Sequence, residues 1–367
     1  MRKIYIIDNG FIDSFTHSHY ESLALIKNVK HFDLEPIVFC TTLNNLPPDL
    51  IYYRNNFIFH FNKILWRIDN WTNIGPFARQ YEKEFIAAIS DAKRDDVILV
   101  MNASADELLG ICFALESNRI ENIIHIRVGV NAPIEATNIF LDMLSRLGAY
   151  KNVRLHVLNS TVRDMMKEKN IPHHPLGHIQ ILPYDLMGSV EKKYDFAYFG
   201  TAAKVKGFHS LVEAAQILSS INIYPKFLIQ HKGAEIHPDA IRALPNITWI
   251  PGYLDDITWH KYMLSSRYVV TFYDLDNYAY VQSNQIFEAT AMNVGIISSP
   301  MPYLKDVFGT EIFNDLCVPN MKIASLVSKI VQKYIEPNYS QSHYKASEIS
   351  RELISPINFI KKIMESR

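Results

Sequence analysis

The sequence predicts an α/β protein of two domains in tandem, each built on a parallel sheet. Three observations carry that expectation. Short apolar, β-rich runs alternate with helical stretches along most of the chain, which is the pattern of βαβ units. A polar, lysine-bearing stretch, Tyr184 to Tyr194, interrupts the alternation, which restarts at Phe196. The length, 367 residues, exceeds what one hydrophobic core usually serves.

The elements follow in order. Lys3 to Asp8 reads as the first strand and Asn9 to Asp13 as its turn; His17 to Lys30 reads as a helix with Tyr20, Leu23, Leu25 and Ile26 inward, and Pro36 to Cys40 as the second strand. Such a βαβ opening implies a parallel sheet with right-handed crossovers. Gly10 is a single glycine, so the first turn lacks the dinucleotide fingerprint. Residues Ile51 to Phe85 are less regular and rich in aromatics, with Lys63 and Arg67 among them. They read either as a helical excursion packed on the sheet, which is favoured, or as a surface for a lipid-linked or sugar acceptor or a membrane. Asp96 to Met101 is the next strand, and Asn102 to Asp106 the turn and cap before a helix over Glu107 to Leu115. The strand Asn122 to Val128 carries Arg127 at its carboxyl end, where a buried guanidinium is costly unless an anion or carboxylate pairs with it. A helix over Ile139 to Leu147, a strand over Val153 to Leu158, a helix over Thr161 to Lys169 and a short strand over Ile179 to Pro183 complete this half. His173, His174 and His178 stand among prolines and read as a solvated connector rather than a metal site.

The second half repeats the scheme. Strands are expected at Phe196 to Gly200, Lys226 to Gln230, Asn246 to Ile250, Tyr268 to Phe272 and Ile296 to Ser299. Helices are expected at Phe208 to Leu218, Thr258 to Ser265, Ile286 to Met292 and Pro319 to Tyr334, with a last one over Ser347 to Met364 interrupted at Pro356.

Composition excludes several classes. A formal net charge of −1 lacks the basic excess that general nucleic-acid binding needs. No apolar run is long enough to span a membrane, and MRKIYIIDNG reads as a first strand, not a signal peptide. Cys40, Cys112 and Cys317 are scattered and lack metal spacing, which fits a reducing, cytoplasmic compartment.

The working centre is expected at Thr271 to Pro300, where a strand, a polar loop and a helix start meet at a sheet's carboxyl edge. Free N–H groups and the helix dipole there favour an anion. Glu288, set in an otherwise apolar helix, is either an acceptor for vicinal ribose hydroxyls or a plain complement to the dipole.

From Tyr194 onward the order of features resembles the GT-B glycosyltransferases, especially the large retaining family 4. FGTAAKVKGFHSLVEAAQIL looks like the family's strand, glycine loop and helix, with Gly200, Lys206 and Gly207 in register; SNQIFEATAMNVGIISSP looks like its Glu-Ala-x-Ala-x-Gly run, with Glu288 on the second glutamate of the Glu-x7-Glu element. The resemblance implies two Rossmann-like parallel-sheet domains facing a cleft, an acceptor-binding domain at 1–184 and a nucleotide-sugar-binding domain at 185–350, with a closing helix at 351–367 expected back on the first domain. It implies a donor site with the base near Gly252 and Tyr253, the ribose on Glu288, and the diphosphate at Gly200, Lys204, Lys206 and the N–H groups of Ser283, Asn284, Gln285 and Ile286. Lys206 and Arg127 are the catalytic candidates, and Gly10, Phe11, His17 and Asn102 face the acceptor. No cofactor or metal is expected. Two positions depart from the family: Tyr280 stands where the first glutamate would lie, and Thr201 where an arginine would clamp the diphosphate. The resemblance therefore implies a retaining, metal-independent hexosyl- or deoxyhexosyltransferase acting on a glycan or lipid-linked acceptor in bacterial surface polysaccharide or lipopolysaccharide synthesis. It would be cytoplasmic, with peripheral membrane contact. The departures keep an alternative, a catalytically silent domain that binds a nucleotide sugar or partner protein.

Overall fold

The computed structural model describes residues 1–8, 17–40, 53–54, 75, 77–103, 105–128, 137–157, 160–177, 179–180, 182–231, 244, 246–278, 282–336 and 338–366; for 17–20, 40, 53–54, 102, 137 and 277 it describes the backbone alone. The chain divides into two compact units, Met1–Ile181 joined by Ile354–Arg367, and Leu182–Leu353.

The first unit holds β1 (Arg2–Asp8), α1 (His17–Asn28), β2 (Leu34–Cys40), β3 (Tyr53–Arg54), α2 (Ala78–Ile89), β4 (Val97–Ala103), α3 (Ala105–Ser117), β5 (Ile124–Val128), α4 (Thr137–Gly148), β6 (Val153–His156) and α5 (Ser160–Glu168). Its six-stranded sheet runs β3-β2-β1-β4-β5-β6, every pair parallel. Strands this apolar fit only a sheet covered on both faces, and β1 is buried from Ile4 to Asp8. The last helix of the chain, Pro356–Glu365, belongs here: Phe359, Ile360 and Ile363 share a core with Ile4, Leu25, Leu99 and Leu176. Ser355 caps that helix by accepting from the Asn358 N–H, and Pro356 opens it, where a missing N–H costs nothing.

The second unit holds β7 (Tyr194–Tyr198), α6 (Phe208–Ser220), β8 (Phe227–His231), β9 (Ile247–Pro251), α7 (Asp256–Leu264), β10 (Ser266–Thr271), α8 (Leu275–Tyr278), α9 (Asn284–Ala291), β11 (Gly295–Ser298), α10 (Pro302–Leu316), α11 (Ile323–Ile335) and α12 (Gln341–Leu353). Its sheet runs β11-β10-β7-β8-β9, again parallel throughout. Strand order reverses beside β7: the chain builds outward to β8 and β9 on one side, then returns to β10 and β11 on the other. The crevice at the carboxyl ends of β7 and β10 is thus a topological switch point.

Several expectations are corrected. Residues 179–180 and 182–183 are not strand; the Gln180 N–H instead donates to the Ile354 carbonyl, 3.0 Å. His174 is not a solvated connector: its backbone extends the edge of β6, with Val157 N–H donating to its carbonyl at 2.9 Å, and its ring meets His156 at 5.5 Å. The helix expected from Pro319 begins at Ile323, and α10, unread in the sequence, precedes it. Most of the aromatic stretch Ile51 to Phe85 lies outside the described residues; of its members, Tyr81 and Phe85 are buried on α2.

Candidate functional site at the edge of the second sheet

Two loops flank the switch point. The first leaves β7 through Gly200, whose φ of 134° suits glycine, and Thr201, whose carbonyl accepts from Tyr198 Oη at 2.7 Å. A 3-10 turn, Lys204–Lys206, follows, closed by Gly207 at φ 76°. Lys204 is exposed and Lys206 half-buried, its stem 4.0 Å from where a Gly200 side chain would begin. Gly207 is needed twice over. Its φ is left-handed, and a Cβ would lie 1.9 Å from the Phe272 carbonyl oxygen. The turn carrying Lys206 therefore sits directly on the backbone leaving β10, and the Asp274 N–H donates to the Val205 carbonyl at 2.9 Å to hold it there.

The second loop runs from Phe272 to the start of α9. Tyr273, fully buried, donates through Oη to Gln285 Oε1 at 3.1 Å and meets Ser283 Oγ at 3.2 Å. Burial pushes its phenol pKa up, so the hydroxyl keeps its proton and donates. The Ser283 N–H donates to Tyr303 Oη at 3.1 Å. With Oε1 of Gln285 occupied, its Nε2 has no partner among the described residues, and the same holds for Asn284 Oδ1 and both amide atoms of Gln282. Buried amides left unsatisfied cost about 1–3 kcal/mol each. Three such side chains stand beside one helix N-terminus, with Ile286 next in that turn.

Glu288 is 2% exposed, in the second turn of α9, a helix buried from Gln285 to Ala291. His260 Nε2 donates to its Oε1 at 2.9 Å, and His260 Nδ1 stands 3.4 Å from Asp256. Burial lowers the His260 pKa, but the hydrogen bond and charge of Glu288 and the charge of Asp256 outweigh it, and the net direction is up. On the far side of the sheet edge, Gly252 (φ 76°) follows β9, its carbonyl accepting from Gln230 Nε2 at 2.8 Å, and Tyr253 beside it is 68% exposed.

Thus the second unit places Gly200, Thr201, Lys204, Lys206, Gly252, Tyr253, Ser283, Asn284, Gln285 and Ile286 on loops or a helix start at one sheet edge, with Glu288 one turn inside. Tyr280 lies outside the described residues. In the first unit Gly10 and Phe11 also lie outside them, and His17 and Asn102 are described only as backbone, in α1 and β4. Arg127 has a carboxylate partner: its two terminal nitrogens donate to the two oxygens of Glu21, each at 2.8 Å, in a pair whose side chains are 8% and 2% exposed. Sequence reasoning missed Glu21, Asp256, His260 and Tyr273. An acid among the inward residues of α1 and an Asp–His pair four apart on α7 were the signals available.

Among the described residues no group of three or more His, Cys, Asp or Glu is placed to hold a metal, and no helix is long and apolar enough to cross a membrane.

No protein-family model matches the chain, and no curated protein matches it in sequence. Solved structures match its shape. A glycosyltransferase from Rickettsia africae aligns over 100% of this chain and 97% of its own, with TM-score 0.63 and 14% identity. An E. coli trehalose-6-phosphate structure bound with UDP-2-fluoro glucose aligns over 99% and 98%, with TM-score 0.64 and 11% identity. Anabaena Alr3699/HepE in complex with UDP aligns over 100% and 99%, with TM-score 0.64 and 12% identity. At such identities the likeness defines the fold: two Rossmann-like α/β domains of the GT-B kind.

Proposed function

We propose that this chain is a glycosyltransferase that moves a sugar from a nucleotide-sugar donor to a glycan or lipid-linked acceptor. The observation that carries the reading is the switch point of the second sheet, where the loop after β7 carries Lys206 and the segment entering α9 carries Gln282, Asn284 and Gln285, whose amides lack partners among the described residues. That arrangement suits a ligand with two phosphates and hydroxyl groups. In this reading Tyr253 and Gly252 receive the base and Glu288 the ribose. Gly200, Lys204, Lys206 and the N–H groups from Ser283 to Ile286 receive the diphosphate, with Thr201 beside them; Tyr280, outside the described residues, is assigned to the sugar.

The chemistry follows from charge. The bond from the anomeric carbon to the phosphate oxygen breaks, its electron pair stays on the nucleoside diphosphate, and the acceptor hydroxyl oxygen bonds to the carbon as its proton passes to the departing phosphate. Positive charge builds on the sugar and negative charge on the diphosphate. A lysine and a helix N-terminus fixed in advance stabilise the latter without a metal. Lysine offers a point charge where arginine would offer a fork, so Thr201 in the arginine's place leaves the diphosphate held by fewer directed bonds. The acceptor is assigned to the first unit, at Gly10, Phe11, His17, Asn102 and Arg127, the last held in place by Glu21. Transfer with retention, a hexosyl or deoxyhexosyl donor, and a cytoplasmic setting in surface polysaccharide or lipopolysaccharide assembly, peripheral to the membrane, complete the proposal.

The test is incubation with UDP-, GDP-, ADP- and dTDP-sugars, first alone and then with glycan acceptors, following free nucleotide by chromatography. Slow release alone, accelerated by acceptor, is expected. Tight binding without release under either condition would replace the transferase with a silent binding domain, and no binding would reject the donor site itself.

A further inference from the structure

We propose that His260 is a positioning residue of the donor site: clamped by Asp256 on its own helix, its imidazole fixes the Glu288 carboxylate in the orientation that accepts the ribose hydroxyls. The proposal rests on the donor reading above.

The argument begins with cost. Glu288 lies in a helix buried along nearly its whole length, and a carboxylate there is expensive unless it is paired and hydrogen-bonded. His260, itself 2% exposed, supplies the bond from α7 across to α9 at 2.9 Å. A histidine that served packing alone would leave its second nitrogen to apolar surroundings. Here the second nitrogen faces Asp256, one turn earlier on α7, whose side chain is 40% exposed. The start of α7 is itself fixed, because Asp255 caps it by accepting from the Thr258 N–H at 2.9 Å. Trp259 stands edge-on to the His260 ring at 5.2 Å and packs on Phe199 at 5.7 Å, the residue just before Gly200. The imidazole is thus locked from three directions, and through Phe199 its wall is continuous with the loop that carries Lys206.

The charged groups facing His260 are Glu288 from α9 and Asp256 from α7. From α12, which packs on α9, Arg351 donates to the Ala291 carbonyl instead, and Ser350 meets Thr290. Serving Glu288 on one side and Asp256, through its backbone carbonyl and its charge, on the other requires a proton on each ring nitrogen. As pH rises and one proton leaves, one of the two contacts loses its donor and the carboxylate is held less firmly. Nucleotide affinity should therefore weaken with rising pH through the titration of this histidine. A fixed carboxylate acts on the bound ground state, so His260 should affect KM for the donor more than kcat.

The experiment is calorimetric titration of UDP, GDP and ADP and of their 2′-deoxy counterparts, between pH 5.5 and 8.5, into wild-type protein, His260→Leu, His260→Gln and Glu288→Gln. Wild type is expected to prefer the ribonucleotide. His260→Leu should lower that preference about 10-fold, the size of one hydrogen bond to a charged group. His260→Gln, which keeps one N–H donor but cannot titrate, should retain the preference and lose its pH dependence. If Glu288→Gln abolishes the preference while both His260 variants keep the wild-type ratio and pH profile, the positioning role is wrong and the donor reading stands. If the diphosphates bind but Glu288→Gln changes nothing, the ribose assignment fails and the role of His260 fails with it. If no diphosphate binds wild type, the donor reading itself is overturned. Should His260→Leu not fold, the pH profile of His260→Gln decides.

Discussion

Gly207→Ala tests whether the Lys206 turn is built onto the strand edge as described. The substitution places an L residue at φ 76°, which costs about 1–2 kcal/mol. It also drives a methyl to within 1.9 Å of the Phe272 carbonyl oxygen and 2.6 Å of its carbon. Backbone atoms on both sides must move, and forced overpacking of this kind costs typically about 1–3 kcal/mol more. Gly188→Ala, in the same unit, is the control: φ there is 83°, and an added Cβ meets nothing within 4 Å. It bears the conformational cost alone. For a unit of this size each kcal/mol moves the midpoint by roughly 2–4 °C, so Gly188→Ala should lower it by roughly 2–8 °C and Gly207→Ala by roughly 4–20 °C. Differential scanning calorimetry reads the stability, and nucleoside diphosphate titration reads the site. Gly207→Ala should weaken binding beyond what its lost stability explains, because the turn must slide away from the switch point. Equal midpoints for the two variants, with nucleotide affinity unchanged in Gly207→Ala, would show that the turn is not docked on Phe272.

Other expectations follow from the same reasoning. Arg127→Leu leaves Glu21 buried without its bidentate partner and should cost about 3–5 kcal/mol in denaturant unfolding. The double variant with Glu21→Leu should recover most of that loss, and no recovery would mean that the pair is not the source. His343 sits 3% exposed against Tyr339, with ring centroids 4.0 Å apart, and burial pulls its pKa down to about 4. The folded value lies below the unfolded 6.5, so the unfolded chain takes up the proton first. Stability is whole above that range and falls as pH drops toward the folded value, by up to about 3 kcal/mol. His343→Phe should flatten this part of the acid unfolding profile; an unchanged slope would contradict the burial argument. Lys206→Ala should lower kcat by about 10²-fold with a smaller rise in donor KM, because its charge matters most as the diphosphate departs. An equal fall in binding and turnover would make it a ground-state contact only.

The alternation of strands and helices was legible because burial on both faces demands near-continuous apolar runs, as at Ile4 to Ile7 and Tyr268 to Thr271. Gly200 and Gly207 were legible through the pattern they share with the family they resemble; both take a positive φ, and at Gly207 the Phe272 backbone also leaves no room for a Cβ. Pairings across the sheet were not legible. Arg127 finds Glu21 from 106 residues away, and Glu288 finds His260 from 28. Nothing in local periodicity specifies which acid meets which base once two helices fold onto one edge. The histidines at 173 and 174 misled because prolines suggested a solvated connector, whereas backbone pairing with Leu155 and Val157 drew the segment onto the sheet. The break after Leu316 was hidden by α10, whose Gly309 takes φ 77° and kinks the helix.

The claim at the centre is that a nucleotide sugar's two phosphates settle at the carboxyl edge of the second sheet, between the Lys206 turn and the start of α9. Hydrogen–deuterium exchange with and without saturating donor measures this most directly. Protection concentrated at residues 199–207, 252–253 and 282–288, with slower exchange of the Asn284 to Ile286 amides, is the expected result. Protection that leaves 199–207 and 282–288 untouched while donor is bound would place the ligand elsewhere and end the account.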